Sequence, residues 1–433
     1  MSWREQYKER LCSPEEAVKL VKGGDTVYIG ALACVARTLT EALYARKDEL
    51  QNVTIASGNN PWILPVYENG APFSVLTFFA GPAERAAMKH DRCFYTSLHL
   101  SQIEDWCGQF LKDGVAFLDV SEPDINGYVS YGAYGPAMHD FVYRNCSRVV
   151  LQVNRKQPFV YGEEHVLHIS KADAIIEVEE PLATVPDLPF DDTLRSMSDF
   201  IVDQIPDGAT VQLGLGGVSA AVGFGLEKKN DLGIHTEMLT NSMMHLMEMG
   251  VITNKKKNFM PGKAVISFAL GSEKLYEYIH RNEDLWFAPY SFVNDPAIIG
   301  KNDNMISVNT AMAVDLFGQV AADQIGGRQF SATGGQLDYV RGAQMSRGGK
   351  SFIALTSTMT NKDGSLSSRI MSVLPPATAI TTPRQDVQYV VTEYGCVNLK
   401  RLAMKDRARA LISLAAPQFR LQLLKEARQY GIL

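Results

Sequence analysis

The chain has 433 residues, enough for two or three domains. Hydrophobic residues make up 46% and charged residues 21%, with 34 glycines and 19 prolines, which excludes collagen-like, disordered and low-complexity classes. Lysine and arginine total 42 against 48 aspartate and glutamate, a formal charge of -6, so no nucleic-acid partner is expected, although one small anionic ligand in a local pocket is compatible. The six cysteines, Cys12, Cys34, Cys93, Cys107, Cys146 and Cys396, form no CxxC and no Cys/His cluster. They predict reduced thiols, no disulfide framework and no metal site. The first residues are charged and lack an apolar leader segment, and no apolar run reaches membrane-spanning length. The expectation is a cytoplasmic protein with no membrane partner.

In chain order, residues 24–30 read Gly-Asp-Thr-Val-Tyr-Ile-Gly, a strand closed by glycine, and a helical stretch follows over 31–46. A second strand is predicted over 52–57. Further apolar strands are predicted at 115–121 and 148–153, with a turn at Asn126-Gly127 between them. Pro181, Pro186 and Pro189 among acidic residues place a boundary near 181–195, giving an N-terminal domain of residues 1–188 and a C-terminal domain of 189–433. Beyond it, residues 208–214 read Gly-Ala-Thr-Val-Gln-Leu-Gly, so Gly24, Thr26, Val27 and Gly30 recur as Gly208, Thr210, Val211 and Gly214. A helical stretch over 217–229 and a strand over 231–236 repeat the order of the first half.

Two more echoes match 115–121 to 351–357 and 148–153 to 389–392, each pair having its own turn, the second at Asp363-Gly364. Echoes in one order predict a duplication. The fold class expected is α/β, as two related open α/β domains with mostly parallel sheets. Residues 401–433 read as an amphipathic helix packed on the C-terminal domain.

Chemistry is expected where glycines close strands. Residues 212–219 form a glycine-rich turn that opens a helix, where free N–H groups favour negative charge. Gly214, Gly216 and Glu237 suit a dinucleotide-binding pattern, but Ser219 stands at its third glycine. Glu237 lies just past a strand and aligns with Gly58 of the first half. A carboxylate present in one copy alone suggests a specialised acid; a solvated strand-end glutamate is the plain alternative. A further cluster, Gly334-Gly335, precedes Asp338 and Arg341, which are spaced to pair across a helical turn. Lys19, Lys22 and the run 255–257 read as solvated faces. Neither HExxH, GxSxG nor a Walker A sequence occurs, which removes common hydrolase and NTPase classes.

Longer motifs carry a resemblance. They are 206–214 (PDGATVQLG), 231–238 (DLGIHTEM), 309–319 (NTAMAVDLFGQ), 334–343 (GGQLDYVRGA), 390–395 (VVTEYG) and 407–412 (RARALI). Together they resemble the family I CoA-transferases, in the acetyl-CoA hydrolase/transferase branch, over nearly the whole chain. The resemblance implies two similar α/β halves and a covalent ping-pong exchange of CoA between short-chain acids such as acetate, butyrate or 4-hydroxybutyrate. Glu237, in the HTEM motif, is the implied nucleophile. Implied CoA contacts are Gln212, Leu213, Gly214, Leu215, Gly216, Met312, Gly335 and Lys362. Backbone groups of Gly216, Gly217, Val218, Gly334 and Gly335 are the expected oxyanion donors. The resemblance also implies no metal and no tightly bound cofactor, with coenzyme A as substrate and covalent intermediate. The partners it implies are acyl-CoA and small carboxylic acids. A homo-oligomer, dimer or higher, is expected.

The chain departs from the family at 238–242 (MLTNS), 218–222 (VSAAV) and 415–417 (AAP). Trp62, Phe78, Phe79 and Trp106 either shape an acyl pocket or serve the core. The rival readings are an acyl-CoA hydrolase on the same scaffold, an NAD-dependent oxidoreductase using the Gly214 loop, and a non-catalytic CoA-binding protein.

Overall fold

The computed structural model describes every residue except Met1, Asp187, Leu188 and Leu215. The domain boundary expected at residue 188 and the CoA contact expected of Leu215 lie outside the described residues. By contacts the chain divides into two compact units. The first comprises Met1–Pro186, Glu237–Asn241 and Val265–Val293; the second comprises Asp187–Thr236, Ser242–Ala264 and Asn294–Leu433.

The first unit is built on an all-parallel sheet. Its order is Cys93–Tyr95, Ser74–Thr77, Thr54–Gly58, Thr26–Ala31, Val115–Val120, Arg148–Asn154, Ala174–Val178. Both faces are covered, so the strands read as continuous apolar runs, and all six residues of Val115–Val120 are buried. The pleat sends alternate side chains to two core layers. Val27 and Ile29 pack with Leu39 and Leu43, whereas Tyr28 joins Trp106, Phe141 and Val142 on the opposite face. Phe78 and Trp106 belong to this second layer and meet edge to face at 5.2 Å, so of the two roles weighed for them the core role is observed.

The second unit carries strands in the order Gly233–Leu239 (through Thr236), Thr210–Leu213, Met305–Thr310, Lys350–Ala354, Tyr389–Thr392 and Gly395–Asn398. All neighbours pair in parallel until the last, an antiparallel hairpin. The C-terminal stretch is two helices rather than one, Met404–Leu414 and Pro417–Gln429. Pro417 opens the second helix in its first turn, where its missing N–H costs nothing. Leu411, Leu423 and Ala427 bury the apolar sides of both against Ile353 and Val390. Among the described residues no helix is long and apolar enough to cross a membrane.

The pairings bear on the duplication. Thr26 pairs with Thr54 as Thr210 pairs with Gly233, so equal steps along the two strands bring Gly58 and Glu237 to equivalent positions. The other neighbour of Thr26–Ala31 is Val115–Val120, and that of Thr210–Leu213 is Met305–Thr310. The expected match of 115–121 to 351–357 is therefore corrected. Lys350–Ala354 instead holds the place of Arg148–Asn154, and Tyr389–Thr392 that of Ala174–Val178. Buried parallel strands draw on the same few apolar residues, so their sequences match without occupying matching places.

Two other expectations are revised. Lys257 is not on a solvated face: it is 4% exposed and donates to the carbonyls of Ile234 at 2.8 Å and Lys263 at 2.7 Å. Burial pulls its pKa down to about 7. Arg341 reaches across to Asp386, with Nη2 to Oδ2 at 3.1 Å.

The first unit also buries two acids. Glu84 accepts from Ser57 Oγ at 2.8 Å and from the Asn60 N–H at 3.2 Å. Asp119 accepts from Gln152 Nε2 at 2.7 Å and Gln157 Nε2 at 2.5 Å. Desolvation outweighs these donors and pushes both carboxyls up to about 7.

The repeat glycines should differ sharply in tolerance. Gly30 has φ +94, and a Cβ there would overlap the carbonyl oxygen of Cys34 as the chain folds back over it. Gly208 has φ +76 but meets only Lys256 Cβ, at 3.4 Å. Gly208→Ala should cost about 1–2 kcal/mol in urea unfolding, the left-handed penalty alone. Gly30→Ala should cost several times more or prevent folding. Glu84 supplies a pH test. An acid whose folded pKa exceeds its unfolded one stabilises most below about pH 4 and loses that contribution as pH rises towards 7. The stability of the wild type relative to Glu84→Gln should therefore fall between pH 5 and pH 8; a flat or rising difference would contradict the raised carboxyl.

Candidate active site

In the second unit two glycine turns converge on the carboxyl end of Met305–Thr310. The first follows Thr210–Leu213. Its Gly214 donates to Val308 O at 2.9 Å, extending the sheet ladder, and Gly216, at φ +112, caps the helix Gly217–Gly225. A Cβ on Gly216 would approach the Thr310 methyl at 3.9 Å. The second turn, Gly334-Gly335, opens the helix Gln336–Met345, and Gln336 Nε2 donates to Thr310 O at 3.4 Å. Both helix starts thus flank Thr310. N–H groups of a first turn have no intrahelical acceptor and point outwards with the positive end of the helix dipole. Gly217 and Val218 occupy such positions in the first helix; Gly335 is the cap residue of the second.

The remaining expected contacts are placed as follows. Gln212 is buried and exchanges two hydrogen bonds with Asn309, both at 3.2 Å, while Leu213 beside it is buried. Met312 is half-buried, its N–H bonded to Ala321 O at 2.9 Å. Lys362 is exposed in the turn between Thr358–Thr360 and Leu366–Ser368. Gln212, Leu213, Gly214, Gly216, Gly217, Val218, Met312, Gly334, Gly335 and Lys362 all fall in the second unit.

Glu237 is half-buried and falls in the first unit, one residue past the strand segment that the second unit retains. Leu239, two residues on, accepts from the Leu270 N–H at 3.1 Å, beside the strand Ala264–Ala269. Phe268 of that strand packs on Tyr134 at 5.4 Å and on Tyr290 at 6.1 Å, and Met238 completes the same apolar cluster. The two tyrosines are hydrogen-bonded to each other, and Tyr134 Oη also donates to Met138 Sδ at 3.4 Å. Burial foremost, with a contribution from the Glu237 charge, drives both phenols well above their ordinary pKa. They therefore stay neutral and present O–H dipoles. Behind Tyr134 lies His139, fully buried against Tyr28, Tyr131 and Tyr134 and pushed down to about 3, hence also neutral.

Two of the departures from the family pattern have structural roles. Asn241 Oδ1 accepts from both the N–H and the Oγ of Ser272, at 2.9 and 3.1 Å. Ser242 fills the space beside Gly223, where a Cβ would approach its Oγ to 2.6 Å. Among the described residues no group of three or more His, Cys, Asp or Glu is arranged to hold a metal. A cavity of about 520 Å³ lies in the first unit, lined by Gln157, Phe159, Tyr276, Arg155, Lys156 and Arg281 among others, none of them expected at the site.

Sequence reasoning did not single out Tyr134 or Tyr290, which the structure buries near Glu237. They lie on segments without a motif, and the one local cue is the glycine-flanked run Gly132-Ala-Tyr-Gly135.

Comparison with known proteins supplies the family. Residues 1–186 match the acetyl-CoA hydrolase/transferase N-terminal domain and residues 271–427 the C-terminal domain of the same name. The chain is 36% identical to a butyryl-CoA:acetate CoA-transferase of Anaerostipes caccae, covering 100% of this chain and 99% of that one. It is also 36% identical to a 4-hydroxybutyrate coenzyme A transferase of Clostridium kluyveri, over 99% of this chain and 100% of the other. Among solved structures, RipA from Yersinia pestis superposes with a TM-score of 0.93 at 34% identity, over 100% of both chains. A 4-hydroxybutyrate CoA-transferase from Porphyromonas gingivalis gives 0.81 at 35% identity, over 99% of this chain and 100% of that one. With both domain models matched in order and whole-length relatives that are CoA-transferases, the chain belongs to the acetyl-CoA hydrolase/transferase family, as one of its CoA-transferases.

Proposed function

We propose that the enzyme moves CoA between short-chain carboxylic acids by a ping-pong mechanism with Glu237 as nucleophile. The observation that carries this reading is the place of Glu237: a carboxylate stands in the last half of the strand Gly233–Leu239, four residues past Gly233 as Gly58 is four past Thr54, half-buried beside two phenols that remain neutral. Partial desolvation keeps such a carboxylate reactive, and positioning supplies the rest. Its oxygen attacks the thioester carbonyl of an acyl-CoA; the C–S bond breaks, giving an acyl-glutamyl anhydride and CoA thiolate. The thiolate then attacks the glutamyl carbonyl, expelling the first acid as its carboxylate and leaving a glutamyl-CoA thioester. An incoming carboxylate runs both steps in reverse. One thioester replaces another, so neither ATP nor a metal enters the balance.

Each addition places negative charge on a carbonyl oxygen. The N–H groups of Gly216, Gly217, Val218, Gly334 and Gly335 are the donors this reading assigns, with Gln212, Leu213, Gly214, Leu215, Gly216, Met312, Gly335 and Lys362 as contacts to CoA. Acetate, butyrate, 4-hydroxybutyrate and related acids are the proposed exchange partners, in keeping with the names of the relatives. The same reading takes the protein as a cytoplasmic homo-oligomer without a tightly bound cofactor, its halves divided at residues 188 and 189. A hydrolase is the weaker reading, because the relatives named acetyl-CoA hydrolase are 24–25% identical and match only 59–64% of this chain.

Incubation with butyryl-CoA and no acceptor should add the mass of CoA less one water to the protein, at Glu237, and the adduct should discharge to added acetate. Glu237→Ala should take up no CoA and lose exchange by about 10³-fold or more. Exchange persisting at the wild-type rate in that variant would overturn the mechanism. Without acceptor, free CoA should appear far more slowly than exchange proceeds with acetate; equal rates would identify a hydrolase.

A further inference from the structure

Behind Tyr134 the first unit holds a buried polar network that the mechanism leaves unused. Gln157 is 4% exposed and spends both ends of its side chain there. Its Oε1 accepts from the Ala133 N–H at 3.1 Å. Its Nε2 donates to the Ala33 carbonyl at 2.7 Å and to Asp119 Oδ2 at 2.5 Å. The orientation of the amide is forced, because Ala133 presents a donor and Asp119 an acceptor. Asp119 is itself held by Gln152 Nε2 at 2.7 Å and Asn154 Nδ2 at 3.4 Å, both on the strand Arg148–Asn154.

The segment so gripped is the one that delivers Tyr134. Ala133 O accepts from the Ala269 N–H at 2.9 Å, and the Tyr134 N–H points at Cys34 Sγ, 3.2 Å away. Gly132 takes φ +74, and a Cβ on it would run into the Gln157 amide. Three elements distant in sequence thus fix one peptide from three sides. Stability alone does not call for this: a buried amide and acid cost desolvation, and apolar residues of equal volume would serve the core as well or better. Such networks return their cost where a unique geometry is needed.

We propose that Gln157 is a positioning residue for acyl transfer, locking the 132–134 backbone so that Tyr134 and its partner Tyr290 hold a fixed polar wall beside Glu237. The proposal rests on Glu237 being the nucleophile. The contacts of Gln157 are to Ala133, Ala33 and Asp119, so its assigned role is through Tyr134 rather than on the reacting atoms.

Two variants test it, read by the single-turnover rate of CoA attachment to Glu237 from butyryl-CoA and by kcat and KM at pH 5.5 to 8, with thermal midpoints alongside. Gln157→Met keeps the volume but loses the acceptor for Ala133 and the donor to Asp119. It should lower kcat and the attachment rate about tenfold or more, with KM changed less than about threefold. Gln157→Glu keeps the acceptor for Ala133 but sets a second carboxyl against Asp119. When that pair shares a proton, the new side chain donates to Asp119 as the amide did. Its rate relative to wild type should therefore be low at pH 8 and recover at least severalfold at pH 5.5. A Gln157→Met enzyme attaching CoA at the wild-type rate would overturn the proposal, and so would a Gln157→Glu ratio flat across pH. If Gln157→Glu does not fold at pH 8, the Gln157→Met rates decide. Should Glu237→Ala retain exchange, the nucleophile reading fails by itself, independently of either Gln157 variant.

Discussion

Parallel strand pairing is the constraint on which the rest depends. It sends every strand of a sheet the same way and forces each connection to cross over, so all turns that leave the carboxyl ends gather on one edge. In the second unit that edge collects Gly214, Gly216, Thr310 and the start of the helix after Gly335. In the first unit it collects Ser57 and Gly58, Asp119, and the amides of Gln152 and Asn154. The strand interiors carry Val, Ile, Leu, Ala and Phe because both faces are covered, so polar side chains with work to do are found where the strands stop.

Duplication alone would give two equivalent edges, and the difference between them is steric. Gly58 and Glu237 each stand four residues past a position paired with the central strand, Thr54 and Gly233. In the first half the Phe78 ring lies against Gly58, so closely that even a Cβ would overlap it. Phe78 is in turn held by Trp106. Aromatic packing has closed, at Gly58, the position that carries a carboxylate in the other half.

The repeat was legible in part because Gly24 and its counterpart Gly208 both have positive φ, which leaves a mark that no other residue easily replaces. Glu237 stood out through its motif, but the strand expected to stop at residue 236 runs on through it to Leu239. Less of the rest could be read. The match of 115–121 to 351–357 misled because composition marks a buried parallel strand but says nothing of its neighbours. Lys257 sits in a run of three lysines that looks solvated; its burial depends on the carbonyls of Ile234 and Lys263 closing around it. Tyr134, Tyr290 and Gln157 are spread over more than a hundred residues, and no local pattern announces a contact that only the folded chain makes.

The acids of the first unit show how finely burial is graded. Asp119 and Glu84 lie fully inside, and desolvation raises both far enough to compete with ionisation near neutral pH. A nucleophile so deeply placed would spend much of its time protonated and inert. A fully hydrated glutamate would be ionised but would have to shed tightly held water before attacking. Glu237 differs from both in being only half-buried. Its phenolic neighbours are neutral, hydrogen-bonded to each other and to Met138 Sδ, so they place no charge beside it. Dipoles act only in the right direction, and a direction must be held by something rigid. On the proposed role of Gln157, the buried amides behind Tyr134 supply that rigidity.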